Sequence, residues 1–100
     1  MGKIIWSEKA AANLEAIHRY IARDSRLYAQ RFIKNIISHP IILESMPFAG
    51  RIVPEFNEPK IRELIYREYR LVYRVEENQN ITILTVIQGN KLLEDLYNKH

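Results

Sequence analysis

The segment from Arg62 to Val75 constrains the fold of this 100-residue chain more than any other. Apolar and polar residues alternate on both sides of the charged pair Arg67-Glu68, a pattern typical of two strands joined by a tight turn. The alternation gives the second strand one face with Arg70, Val72 and Arg74, and another with Tyr69, Leu71, Tyr73 and Val75. Guanidinium groups bind phosphates and carboxylates in a planar, bidentate way, so the arginine face is predicted to bind an anionic partner.

Length and composition indicate one globular domain that spans residues 1–100. Hydrophobic residues make up 47% of the chain and charged residues 27%, which is ordinary for a globular protein. We expect neither a membrane span nor a secretion signal, because the sequence has no long apolar run and the apolar part of its N-terminal segment is short. It also lacks cysteine, and its three histidines are scattered, so we expect a cytoplasmic protein with no metal site and no cofactor.

The charge distribution favours an anionic partner without requiring one. The formal net charge is +3 and the predicted pI is about 9.3, so either RNA or an acidic protein is compatible with the composition. Cations outnumber acids between residues 60 and 74. The acids of this segment are Glu63 and Glu68, and its cations are Lys60, Arg62, Arg67, Arg70 and Arg74. We therefore expect unpaired arginines on the exposed face of the sheet.

The first half of the chain predicts a short strand and a helical hairpin. Residues 3–6 form the strand, and Ser7 is a suitable N-cap for a first helix that ends near Asp24. The apolar face of this helix is predicted to carry Ala11, Leu14, Ile17 and Ile21. A second helix begins near Arg26, and Pro40 predicts a kink or break near His39.

The second half predicts a sheet that completes an α+β fold. A turn at residues 47–50 leads into an ordered loop or edge strand, and three antiparallel strands follow at residues 61–65, 69–76 and 80–88. Residues 92–97 are predicted to form a short C-terminal helix or tail. We therefore expect the strand and two-helix hairpin to pack on one face of a small, mostly antiparallel sheet, whose opposite face is at least partly open.

Five local signatures cover nearly the whole chain. They are Trp6-Ser7 ahead of an alanine-rich helix, Pro47-x-x-Gly50-Arg51-x-Val53-Pro54-Glu55, Arg62-Glu63-Leu64, Tyr69-Arg70-Leu71-Val72-Tyr73-Arg74-Val75, and Ile81-Thr82-Ile83-Leu84-x-Val86. With the order of strand, helical hairpin and meander, this set resembles the RelE/ParE superfamily of bacterial and archaeal toxins. The Gly50-Arg51 and Arg62-Glu63-Leu64 signatures look more like the ParE-type branch, often labelled plasmid stabilisation proteins.

The resemblance implies the toxin of a type II toxin–antitoxin module, which inhibits growth and is held inactive by a cognate antitoxin. Members of the ParE-like branch inhibit DNA gyrase and are not nucleases, whereas members of the RelE-like branch cleave messenger RNA on the ribosome. We expect ParE-like activity, with a RelE-like mRNA interferase as the alternative. A third alternative is an inactive or repurposed protein-binding module.

If the chain is a nuclease, the resemblance assigns catalytic roles to Arg62, Arg70 and Tyr97. The two arginines would stabilise charge on the scissile phosphate, and Tyr97 would transfer a proton. The competing interpretations are an Arg70 paired with Glu63 or Glu76 and a Tyr97 in apolar helix contact. Gln88 stands where many relatives carry histidine, and Lys91 replaces an arginine, so both positions weaken the nuclease interpretation.

Other residues are predicted to bind the target or the antitoxin, namely Arg51, Lys60, Arg74 and Lys91. Arg51 can instead pair with Glu55, which is itself either a candidate general base or an ordinary loop carboxylate. In the helical hairpin, a second candidate contact surface for gyrase lies at the turn, formed by Tyr20, Arg23, Arg26 and Tyr28. The alternative for this cluster is a solvated helix end.

Overall fold

The computed structural model describes residues 2–91, and the predicted helix at residues 92–97 lies outside them. The described elements, in chain order, are β1 (Ile4–Trp6), α1 (Glu8–Ala22), α2 (Arg26–Ser38), a 3-10 helix (His39–Glu44), β2 (Arg51–Ile52), β3 (Ile61–Tyr66), β4 (Tyr69–Val75) and β5 (Ile81–Gln88). Within this range, no helix is long and apolar enough to cross a bilayer.

The five strands form one mixed sheet in the order β1-β5-β4-β3-β2. Strands β2 to β5 pair antiparallel, and β1 adds to the edge of β5 in parallel. The two helices cover one face of the sheet, so the predicted α+β class and the mostly antiparallel arrangement are confirmed.

Serine residues cap both helices, as the sequence predicts for Ser7. The Ser7 hydroxyl accepts a hydrogen bond from the amide of Ala10 at 3.0 Å and donates one to the Leu84 carbonyl, which ties α1 to β5. Ser25 caps α2 by accepting from the Tyr28 amide at 3.1 Å. The break predicted at Pro40 is confirmed, because α2 ends at Ser38 and the chain continues as a 3-10 helix.

The main core lies between the helices and the sheet. Ala10, and not Ala11 as the spacing suggested, is buried on α1 together with Leu14 and Ile17. The sheet contributes its predicted apolar face, which includes Tyr69, Leu71, Tyr73, Val75, Ile81 and Ile83. The helices therefore cover the apolar face of β4, and the face that carries Arg70 points away from them.

A covering segment closes part of the opposite face of the sheet, which the sequence predicted to be at least partly open. Residues 53–59, here called the strap, leave β2 and lie against that face before β3 begins. Val53 and Val72 are fully buried against each other, and Phe56, Ile61, Leu84 and Ile87 pack around them. Arg70 and Val72 on the arginine face of β4 are therefore buried, whereas the side chain of Arg74 remains 41% exposed.

Candidate functional site

Arg70 lies at the centre of the candidate site and is almost completely buried, with 6% of its side chain exposed. Its Nε donates to Glu63 Oε1 at 2.6 Å, and its two terminal nitrogens donate to the two carboxylate oxygens of Glu55 at 2.8 Å each. One terminal nitrogen also donates to the backbone carbonyl of Lys91 at 3.2 Å. The guanidinium is therefore occupied by two carboxylates, one from the sheet and one from the strap.

These contacts further favour the charged form of Arg70. Hydrogen bonding to Glu55 raises the pKa of Arg70 above its ordinary value. Burial acts in the opposite direction, and the hydrogen bond to Glu63 raises the pKa as well. Arg70 is thus a permanent cation whose charge is neutralised inside the protein.

Glu63 connects Arg70 to Arg51. Its side chain is fully buried, and its second carboxylate oxygen accepts from Nε of Arg51, which is mostly exposed at the edge of the sheet. Arg51, Glu63, Arg70 and Glu55 therefore form a four-residue ion-pair network with two positive and two negative charges. No buried side-chain nitrogen or oxygen in residues 2–91 lacks a hydrogen-bond partner.

The network corrects the expectation of unpaired arginines on this face. A buried guanidinium without a partner would carry a large desolvation penalty, and the two glutamates remove it. The β3–β4 register places Glu63 and Arg70 as diagonal neighbours on one face, and the strap brings in Glu55. Of the alternatives raised by the sequence, Arg70 pairs with Glu63 and not with Glu76, and Arg51 pairs with Glu63 and not with Glu55.

Arg62 lies on the other face of the sheet from Arg70. In the β3–β4 register Arg62 is opposite Tyr73 on the helix side, whereas Arg70 is opposite Ile65. Arg62 donates to the carbonyls of Pro59 and Gly50 at 2.8 and 3.0 Å. The structure therefore does not bring the two arginines of the nuclease hypothesis together, and Arg62 instead holds the backbone around β2.

The remaining predicted residues do not join the network through their side chains. Arg74 pairs with Glu76 at 3.0 Å, and Lys60 is exposed at the start of β3. Lys91 is exposed and borders a groove of about 410 Å³ between α1 and the end of β5. Tyr97 lies outside the described residues, so its predicted catalytic role has no structural description.

Tyr73 is a positioning residue that the sequence identified only as part of the core. Its buried hydroxyl accepts from the Gly50 amide and donates to the Pro47 carbonyl, both at 2.9 Å. A Cβ on Gly50 would lie 2.5 Å from the Glu63 carbonyl oxygen and 2.7 Å from the Tyr73 hydroxyl. This close approach explains why a glycine precedes Arg51, and it fixes the start of β2 beside the ion-pair network.

The described part of the site offers little for acid–base chemistry. Burial raises the pKa of both Tyr69 and Tyr73, which moves these hydroxyls away from proton transfer near neutral pH. Residues 2–91 contain no cluster of three or more histidine or acidic side chains that could hold a metal ion. The arrangement among these residues is that of a structural ion-pair network.

Comparison with known proteins gives a consistent assignment. The model of the family described as "ParE toxin of type II toxin-antitoxin system, parDE" matches residues 4–93. A solved structure titled "Chromosomal ParDE TA system from P. aeruginosa" superposes with a TM-score of 0.70 at 27% sequence identity, covering 88% of this chain and 96% of that chain. A search of curated proteins gave no significant match. Since the family match spans more than half of the sequence, this chain belongs to the ParE toxin family of type II toxin–antitoxin systems.

Proposed function

We propose that this ParE-family toxin arrests growth by binding and inhibiting DNA gyrase, without cleaving RNA, and that a cognate antitoxin neutralises it. Family membership supports the toxin and antitoxin parts of the proposal. The choice of gyrase over messenger RNA depends on the geometry around Arg70.

The engagement of Arg70 is the observation that favours binding over cleavage. A ribonuclease that promotes attack of a ribose 2′-hydroxyl must stabilise the charge that develops on the phosphate oxygens. Arg70 is buried and holds two carboxylates, so a phosphate at this place would have to displace Glu55 and approach Glu63. The negative charge of these glutamates would repel it.

The second arginine of the nuclease hypothesis does not compensate. Arg62 and Arg70 lie on opposite faces of the sheet, so one phosphate cannot contact both guanidinium groups. Arg62 also uses its Nε and one terminal nitrogen on backbone carbonyls. RNA cleavage would therefore require a catalytic arrangement other than this pair of arginines.

A pair of assays with the purified chain tests the proposal. In a supercoiling assay with gyrase and relaxed plasmid, we expect added toxin to block supercoiling. We expect toxin that was purified in complex with its antitoxin to leave supercoiling intact. In a translation reaction with programmed ribosomes, we expect primer extension to detect no new cuts in the message. Message cleavage with normal supercoiling would instead support the RelE-like alternative. If expression of the chain without its antitoxin does not arrest growth, that result would support the repurposed module.

A further inference from the structure

Three exposed arginines that form no ion pair within residues 2–91 lie near the turn of the helical hairpin. Arg51, Arg70 and Arg74 each pair with a glutamate, whereas within residues 2–91 Arg23, Arg26 and Arg67 form no ion pair. All three of these unpaired arginines are exposed. These three arginines supply positive charge that is available to a partner at this end of the described structure.

Aromatic contacts bring the hairpin turn and the β3–β4 turn into one surface. The buried ring of Phe32 lies 6.2 Å from that of Tyr28 on α2 and 5.5 Å from that of Tyr66 at the end of β3. Hydrogen bonding with Tyr66 raises the pKa of Arg67, and Tyr28 also contributes electrostatically. Because Arg67 directly follows Tyr66, whose ring packs against Phe32 of α2, it lies near the hairpin although nearly forty residues separate it from Tyr28 in the sequence.

Exposed tyrosines lie among these arginines. Tyr20 is 66% exposed and Tyr28 is 51% exposed, and the guanidinium of Arg23 lies over the Tyr20 ring at 5.8 Å from its centroid. The guanidinium of Arg67 is placed in the same way over Tyr66 at 5.9 Å. We call Tyr20, Arg23, Arg26, Tyr28 and Arg67 the hairpin-end surface.

The flanks of the hairpin-end surface extend its positive charge. Arg31 lies one helical turn after Tyr28, and Lys91 lines the groove that Tyr20 also lines. Asp24 and Glu68 occupy the same two turns, but within residues 2–91 neither forms an ion pair with these arginines. The cations at this end of the described structure outnumber these two acids.

We propose that the hairpin-end surface binds the phosphate backbone of a nucleic acid. Unpaired arginines with exposed aromatic rings are the combination that nucleic-acid-binding surfaces use, because guanidinium groups contact phosphates while aromatic rings pack against sugars or bases. That the nucleic acid is the DNA held by gyrase depends on the proposed function. Binding to the backbone itself does not depend on it, and we expect no sequence preference.

Fluorescence anisotropy with a labelled DNA duplex tests this surface in the absence of gyrase. Neutralisation of each phosphate contributes about −0.9 to the slope of log K against log salt concentration. We expect the triple variant Arg23→Gln/Arg26→Gln/Arg67→Gln to bind at least about tenfold more weakly and to reduce the magnitude of this slope by about 2 to 3. All three residues are exposed, and circular dichroism checks that the variant is folded.

A matched variant separates this surface from the effect of net charge. Lys3, Lys9 and Lys34 are exposed and lie outside the two turns that carry the hairpin-end surface, so Lys3→Gln/Lys9→Gln/Lys34→Gln removes the same charge elsewhere. We expect this control to retain nearly native binding and salt slope. Equal weakening of both variants would overturn the proposal, as would absence of duplex binding by the native chain. The single variant Arg23→Glu provides a second test if the triple variant fails to fold.

The supercoiling assay distinguishes failure of this inference from failure of the proposed function. If the native chain inhibits gyrase but does not bind free duplex, and the triple variant loses inhibition, the surface binds protein and the nucleic-acid proposal is wrong. If the native chain binds duplex through this surface but does not inhibit gyrase, the nucleic-acid proposal stands and the proposed target is wrong.

Discussion

Arg70 and Glu63 form a buried ion pair between adjacent strands, with Nε of the arginine 2.6 Å from Oε1 of the glutamate. They are diagonal neighbours on the face of the sheet opposite the helices. Arg70 also donates two hydrogen bonds to Glu55 of the strap, and Arg51 donates one to Glu63. The network joins β2, the strap, β3 and β4.

Replacement of Arg70 alone should strongly destabilise the fold. Arg70→Met leaves the fully buried Glu63 with one remaining cationic partner at the sheet edge and removes the ion pair between Arg70 and Glu55, so we expect a loss of about 3 to 5 kcal/mol in the free energy of unfolding. Urea denaturation measures this loss. Arg74→Met removes a half-exposed pair on the same strand and should lose no more than about 1 kcal/mol. Equal effects would contradict a special role for the buried network.

Removal of the Tyr73 hydroxyl should destabilise the turn that precedes β2. Tyr73→Phe leaves the Gly50 amide without its acceptor and the Pro47 carbonyl without its donor, so we expect a loss of about 1 to 3 kcal/mol in the free energy of unfolding. The exposed Tyr20→Phe is the matched control and should change stability by less than about 0.5 kcal/mol. A Tyr73→Phe variant as stable as the native chain would show that these hydrogen bonds contribute nothing.

Glu76 should contribute a pH-dependent part of the stability. The Thr82 hydroxyl, which donates to Glu76 at 2.7 Å, lowers the pKa of this carboxyl below its ordinary 4.5, and Arg74 adds to the effect. Because the folded-state pKa is depressed, the contribution is complete above the unfolded-state pKa and disappears as pH falls through the folded-state pKa.

Denaturation of the native chain and of Glu76→Gln across pH measures this contribution. The difference in their free energies of unfolding should be largest above about pH 5 and should shrink as the pH approaches the depressed pKa. The neighbouring Glu77→Gln should give a smaller difference with less dependence on pH, because Glu77 is exposed and forms no ion pair within residues 2–91. A pH-independent difference for Glu76→Gln would contradict the assignment.

The sequence predicted most of the fold because its local signals agree with the tertiary structure. The serine caps, the Pro40 break and the alternation in β4 are local features, and each corresponds to an observed boundary or face. The strap has no such periodicity. Its burial depends on the tertiary contact between Val53 and Val72 of β4. Its position over the arginine face therefore could not be inferred from local pattern.

Part of the site could have been predicted by following the hairpin register. Once Tyr66 and Tyr69 flank a two-residue turn, Arg70 falls opposite Ile65 on β3. Residues 62 and 65 are separated by an odd number of positions, so Arg62 and Arg70 must lie on opposite faces. The contact between Glu55 and Arg70 required the three-dimensional structure, because an exposed loop carboxylate and a strap carboxylate look alike in sequence.

The central claim is that Arg70 supports the fold while the toxin acts by binding gyrase. The double variant Arg70→Met/Glu63→Met tests it, because replacing the two most buried members of the network with apolar residues leaves neither of these buried charges without the other and is often close to neutral for stability. Denaturation and circular dichroism identify whether the variant is folded.

The decisive measurement is the concentration of this double variant that halves gyrase supercoiling, compared with that of the native chain. We predict values within about threefold of each other, with no cleavage of ribosome-bound message by either protein. A folded double variant that no longer inhibits gyrase, or a native chain that cuts message in a reaction lost on Arg70 replacement, would contradict the account.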